Sequence, residues 1–191
     1  IISCIPAKAQ VTTYTFSSSS GTYTPIAGTT LFAGPWDDLN SALITIPFTF
    51  TYHNTGYTTV GVSSNGYITL GGITITEYCG LQASPPNSIA GYGTDLVGAA
   101  NSTVSYTTTG ITPNRKFVVQ WTNTDHFQAG FVDSWTFQVI LNENDNSVQV
   151  VWGTSTDVTN MGPNSCSDSP TESGNVGLLG ASAGDFNIRS V

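Results

Sequence analysis

At 191 residues the chain has the length of one ordinary domain, and its 39% of hydrophobic residues suffices to fill a core, which excludes a disordered polymer. Charged residues make up only 8%, against about 25% in a typical soluble domain, and the net charge is −8. The basic residues are Lys8, Arg115, Lys116 and Arg189. They form no stripe to neutralise phosphates and no cationic membrane-surface helix, so nucleic-acid binding is excluded and no transmembrane span is expected.

The first ten residues, IISCIPAKAQ, admit three readings. An apolar run followed by Ala7-Lys8-Ala9 has the small-residue pattern of a secretory signal near its cleavage point. Ile1-Ile2-Ser3-Cys4 has the form of a bacterial lipobox, in which Cys4 would carry a lipid anchor. In the third reading the segment is a retained strand, and Ile1, Ile2, Ile5 and Val11 are apolar positions that add to the sheet edge of a neighbour. Residues 11–191 are read as one domain.

Beyond this segment no amphipathic helix is evident, and period-two alternation recurs. It predicts strands over residues 12–16, 44–52, 58–63, 67–70, 103–108, 116–124, 134–142, 147–153 and 175–180. Turns are expected at 54–56, 64–66, 110–114 and 142–146, where Asn, Asp and Gly cluster. In ITIPFTFTY, Phe48, Phe50 and Tyr52 share the core parity, with Thr49 and Thr51 outside. Asn65-Gly66 suits a tight hairpin with positive φ. The clearest hairpin is WTFQVILNENDNSVQVVWG. Its Trp135, Phe137, Val139 and Leu141 face one way with Val148, Val150 and Trp152, while Gln138 and Gln149 face outward. The expected fold is therefore all-β: an antiparallel β-sandwich of jelly-roll or Ig-like type, one domain with long loops over 17–39, 72–101 and 155–173.

The chain has three cysteines, Cys4, Cys79 and Cys166. If Cys4 leaves with a signal, Cys79 and Cys166 remain as the pair for one disulfide in an oxidising compartment, a staple worth about 4 kcal/mol in the chain-entropy picture. Two unrelated thiols is the alternative.

Signs of catalysis are sparse. His53 lies beside a turn, where a solvated imidazole is the ordinary reading. Asp125-His126 followed by Asp133 is the best candidate for an oriented general base, yet no nucleophile elbow accompanies it. No pair among the twelve acids is singled out for glycoside hydrolysis. No metal or cofactor is expected: Asp37-Asp38 and the oxygen-rich turn 142–146 could support calcium, but Asn and Asp in such a turn ordinarily serve the backbone. GYGTDLVG lacks the lysine of a phosphate loop. Trp36, Tyr78, Tyr92 and Phe127 fall in loops or loop margins, where aromatic faces could stack on sugars or cap the sandwich ends.

The order of motifs carries a resemblance. A Tyr-rich start, TYTFSSSSGTYTPIAGTT, leads into WDDLNSAL, then IPFTFTYHNTGYTTVGVSSNGYITLGG, FVVQWTNTD, WTFQVILNENDNSVQVVWG and NVGLLGASAGDFNIRS. Over residues 12–190 this resembles the N-terminal β-sandwich module of large secreted surface proteins from Bacteroidetes-type bacteria, many exported by the type IX secretion system. The string VSSNG by itself is shared with nidogen-like and other extracellular sandwiches. The resemblance implies an extracellular sandwich for adhesion or surface architecture, with no catalytic residues to carry over. The expected function is thus non-enzymatic cell-surface structure or adhesion, including a filament or sheath subunit that polymerises with itself. The alternative is a carbohydrate-binding module whose partners are surface glycans.

Overall fold

The computed structural model describes residues 10–72, 74, 81, 84–127, 133–156, 174–182 and 184–190. Among them the regular structure is a three-residue 3-10 turn, Val11–Thr13, and eleven strands: β1 (Thr29–Ala33), β2 (Ile44–Tyr52), β3 (Thr55–Val62), β4 (Tyr67–Leu70), β5 (Ser88–Gly93), β6 (Leu96–Thr109), β7 (Lys116–His126), β8 (Trp135–Asn142), β9 (Val148–Trp152), β10 (Asn175–Leu179) and β11 (Phe186–Ser190). They form two antiparallel sheets packed face to face, one ordered β1-β6-β7-β8-β9 and the other β11-β10-β5-β4-β3-β2. The expected β-sandwich is what the chain builds.

The period-two pattern does most of the work. Along β2 every second residue from Ile44 to Tyr52 is buried and every intervening one exposed. Phe48, Phe50 and Tyr52 therefore reach the core, as the parity required. Across the sandwich they meet the inward residues of the other sheet, including Phe117, Val119, Trp121, Phe137, Val139 and Leu141. Trp121 is fully buried, stacks on Phe137 at 5.0 Å between centroids, and donates from Nε1 to the Ser63 carbonyl at 3.0 Å.

Several expectations change. The β2–β3 turn is His53-Asn54, both at positive φ (52° and 57°), with Tyr52 opposite Thr55, so the turn precedes the expected Asn54–Gly56 and has the two-residue form that suits sheet twist. The imidazole of His53 is not solvated; it is tucked in with Nε2 3.4 Å from Asp185 Oδ2. The segment expected as a strand over 12–16 begins instead as the 3-10 turn. Val11 is fully buried in its own domain, its N–H donating to Asp185 Oδ1 at 2.8 Å, and Asn187 Nδ2 donates to the carbonyls of Val11 and Tyr14. Val11 thus serves this fold's own closure and is not free to join a neighbour. Ile1, Ile2, Ile5 and Cys4 lie outside the described residues.

Two of the expected long loops contain strands. β5 was hidden because it is buried on both faces and shows no alternation; β1 is a short edge strand beside β6. Most of the third, and with it Cys166, lies outside the described residues, as does Cys79.

Gln138 does point away from the core, yet it is only 3% exposed. The chain around Tyr23–Ile26 crosses this outer face. Gln120 Oε1 accepts hydrogen bonds from Tyr23 Oη (2.8 Å), Ile26 N (3.0 Å) and Gln138 Nε2 (2.8 Å), and Gln138 Nε2 also donates to the Thr24 carbonyl. Gln120→Ala is expected to leave these donors without their acceptor, cost about 1–3 kcal/mol, and speed proteolytic cleavage within the strap. Unchanged denaturation and cleavage rates would show that the strap is held some other way.

Arg115 ties the two sheets at one edge. Nε and Nη2 pair with the Glu143 carboxylate while Nη1 donates to the Pro47 carbonyl on β2 at 2.6 Å. The hydrogen bonds from Arg115 hold the Glu143 carboxyl below the usual carboxylate range. A carboxyl depressed in the folded state contributes stability that is present above its unfolded value and is lost as pH falls through the folded one. Glu143→Gln should therefore flatten the stability profile on the acid side, below about pH 4, and an identical acid limb in denaturant titrations would contradict this.

Candidate functional site

The polar groups converge on one end of the sandwich, where the string VSSNG turns β3 into β4. Asn65 is 1% exposed. Its Nδ2 donates to Asp38 Oδ1 at 2.8 Å and its Oδ1 accepts from the Leu96 N–H at 3.0 Å. The residue chosen for its turn propensity is thus a buried crosspiece between the 37–38 segment and the start of β6. Gly66, at φ 80°, sits so close to β5 that a Cβ there would lie 1.9 Å from the Tyr92 carbonyl oxygen.

From this crosspiece two clusters of acidic groups follow. Leu96 pairs with His126 across the β6–β7 ladder, and the Phe127 N–H donates to the Asp95 carbonyl at 3.0 Å. Asp95, buried, brings its carboxylate beside those of Asp37 (exposed) and Asp38 (half-buried), with one oxygen from each within 4.8 Å of the others. The sequence offered Asp37-Asp38 as a calcium pair; the fold supplies Asp95 as a third acid from the distant GTDL stretch. The other oxygen-rich candidate, 142–146, spends its side chains on protein groups: Asp145 Oδ1 accepts from the Ser147 N–H, Asn142 Nδ2 donates to the Ser147 carbonyl, Glu143 pairs with Arg115 and Asn146 Oδ1 accepts from the Thr51 N–H.

The second cluster is deeper. Asp125, His126 and Asp133 are 1%, 1% and 6% exposed. His126 Nδ1 lies 3.2 Å from Asp133 Oδ2, and Nε2 lies 2.7 Å from Tyr92 Oη, which reaches across from the other sheet. Asp125 Oδ1 accepts from the His126 N–H at 2.7 Å, while Asp125 Oδ2 is buried without a hydrogen-bond partner. Burial pushes the Asp125 carboxyl above the usual carboxylate range, the His126 N–H opposes this, and the neighbouring Asp133 charge adds to it. The three residues that sequence spacing marked as a general-base arrangement are therefore in contact. Both ring nitrogens of His126 face protein groups in the interior, and the ring is closed off from solvent by Tyr92 and Trp135.

The four aromatics considered for a sugar platform separate. Trp36 is 7% exposed, and its indole covers Gly98 where a Cβ would lie 2.3 Å from the ring. Tyr92 is a strand residue on β5, 3% exposed and packed against Trp135, Phe137 and Trp152. The expected loop placement is corrected for Tyr92 alone; Trp36 does lie in the connection between β1 and β2, but like Tyr92 it is buried. Phe127 is 57% exposed, and Tyr78 lies outside the described residues. The buried partners Asn65, Asp95 and Tyr92 were missed in this role because each bonds to residues far away in sequence. The one local signal was an Asp directly after the GYGT stretch.

These features define a class: a charge-poor antiparallel β-sandwich whose polar end is held by buried hydrogen bonds. The chain belongs to the NIDO-related family, whose model matches residues 13–188, nearly the whole domain. No match was found among curated proteins or among solved structures. No helix among the described residues is long and apolar enough to cross a membrane.

Proposed function

We propose that this chain is a non-enzymatic, exported module of cell-surface structure or adhesion, of the kind found in type IX-exported surface proteins of Bacteroidetes-type bacteria. The observation that carries the reading is membership of an extracellular-type β family along residues 13–188, joined to a low share of charged residues, 8%. Charge on strands ordinarily blocks edge-to-edge association, and its scarcity suits a surface that is covered in an assembly. His126, the better placed of the two histidines for proton transfer, is enclosed with both nitrogens engaged, which supports a structural role for it.

Within this reading the chain is a subunit that associates with its own copies by strand addition. The β2 edge is partly occupied: its Pro47 carbonyl accepts from Arg115 and its Thr51 N–H donates to Asn146 Oδ1. Addition would therefore use β1, β9 or β11, the other outer strands of the two sheets. Electron microscopy of purified native material tests the assembly. Ordered polymers are expected, and uniformly dispersed monomers at native concentration would contradict it.

A further inference from the structure

We propose that Asp125, His126 and Asp133 form a binding site for a divalent transition-metal ion of zinc type, held inside the polar end of the sandwich. One ligand atom from each residue lies within 4.8 Å of the other two, and all three residues are buried. An independent observation points the same way. Asp125 Oδ2 has no hydrogen-bond partner although the residue is 1% exposed, an arrangement that burial makes costly and a cation would satisfy.

The spacing also fits a shared metal ion. His126 Nδ1 and Asp133 Oδ2 are 3.2 Å apart. That distance suits a hydrogen bond, and it is also close to the roughly 3.4 Å that separates two ligands on one tetrahedral zinc, each about 2.0–2.2 Å from the metal. The ion takes the place of the proton between these two groups, and the imidazole then carries its hydrogen on Nε2. That hydrogen is donated to Tyr92 Oη at 2.7 Å. Tyr92 becomes the outer partner that fixes the ring, as metal-bound histidines ordinarily require. One imidazole with two carboxylates suits zinc better than calcium, which prefers six to eight oxygens. Because Tyr92 stands on β5 and the ligands on and beyond β7, the bound ion would lock the two sheets together at this end.

The chain has two histidines, His53 and His126, so it carries its own control. Chelator-treated protein is titrated with zinc chloride while the imidazole nitrogens are followed by NMR and heat by calorimetry. Uptake of one ion per chain is expected, with Nδ1 of His126 shifting, His53 unmoved, and the melting temperature rising. Asp125→Asn, whose amide oxygen still accepts from the His126 N–H, should bind at least about tenfold more weakly, whereas Asp37→Asn should bind as the parent does. The wild-type spectrum decides the question even if Asp125→Asn fails to fold. Absence of zinc uptake, a zinc shift at His53 in place of His126, or undiminished binding by a folded Asp125→Asn overturns the site.

Discussion

Replacing Gly66 by valine is expected to abolish folding. Two penalties coincide there. The backbone is at φ 80°, a left-handed conformation that costs a side-chain-bearing residue about 1–2 kcal/mol and a β-branched one more. In addition, the new Cβ would stand 1.9 Å from the Tyr92 carbonyl oxygen and 3.2 Å from Leu96 Cδ1. The first of these neighbours is backbone of a central strand and cannot move without breaking the β4–β5 pairing. The Gly66 carbonyl also accepts from the N–H groups of Gly91 and Tyr92, so displacement would unmake those bonds as well. A loss above about 4 kcal/mol follows, a large part of the stability of an ordinary domain. Gly34→Ala is the matched control: it has the same φ of 80° with nothing near its Cβ, and should cost only about 1–2 kcal/mol. Expression yield and circular dichroism of the two variants check this. A folded Gly66→Val protein of normal stability would mean that the β4–β5 approach is looser than described.

Trp121→Ala should cost about 3–5 kcal/mol. Its indole is fully buried between the sheets, and the stack on Phe137 has an interplanar angle of 12°. Removing it opens a cavity and leaves the Ser63 carbonyl without its donor, at the base of the Ser64–Gly66 turn. Trp152→Ala, at a half-buried position on the edge strand β9, should cost distinctly less. Urea denaturation separates the two through the midpoint at constant slope. Equal losses would mean that the edge of the sandwich is packed as tightly as its centre.

The architecture was legible wherever one face of a strand meets water. β2 follows the alternation of its sequence because a period of two maps directly onto inside and outside, and β8 keeps its inward parity although its outer face is covered. β5 was not legible, since SIAGYG is enclosed on both faces and its small residues serve close packing, as at Gly91 against Phe137. Gln138 was read correctly as outward but not as covered, and Gln120 beside it was not singled out. Nothing local announces that residues 23–26 return over them. The polar end was half legible. The 125–133 spacing suggested a working group of side chains, but the identity of its partner, Tyr92, depends on how two sheets face each other. Asn65 was understood as a turn former, while its buried bonds to Asp38 and Leu96 depend on tertiary placement.

The alternating Thr and aromatic residues of β2 act on two sides. Its inward side fills the core, and its free edge is met by Arg115 and Asn146 from the other sheet. These two contacts leave less of the β2 edge open to pairing with another strand.

Immunogold labelling of intact cells that express the native protein tests the central claim most directly. Gold on the outer surface of unpermeabilised cells, removed by brief protease treatment, is the predicted result. Gold seen only after permeabilisation and confined to the cytoplasm would contradict a surface module.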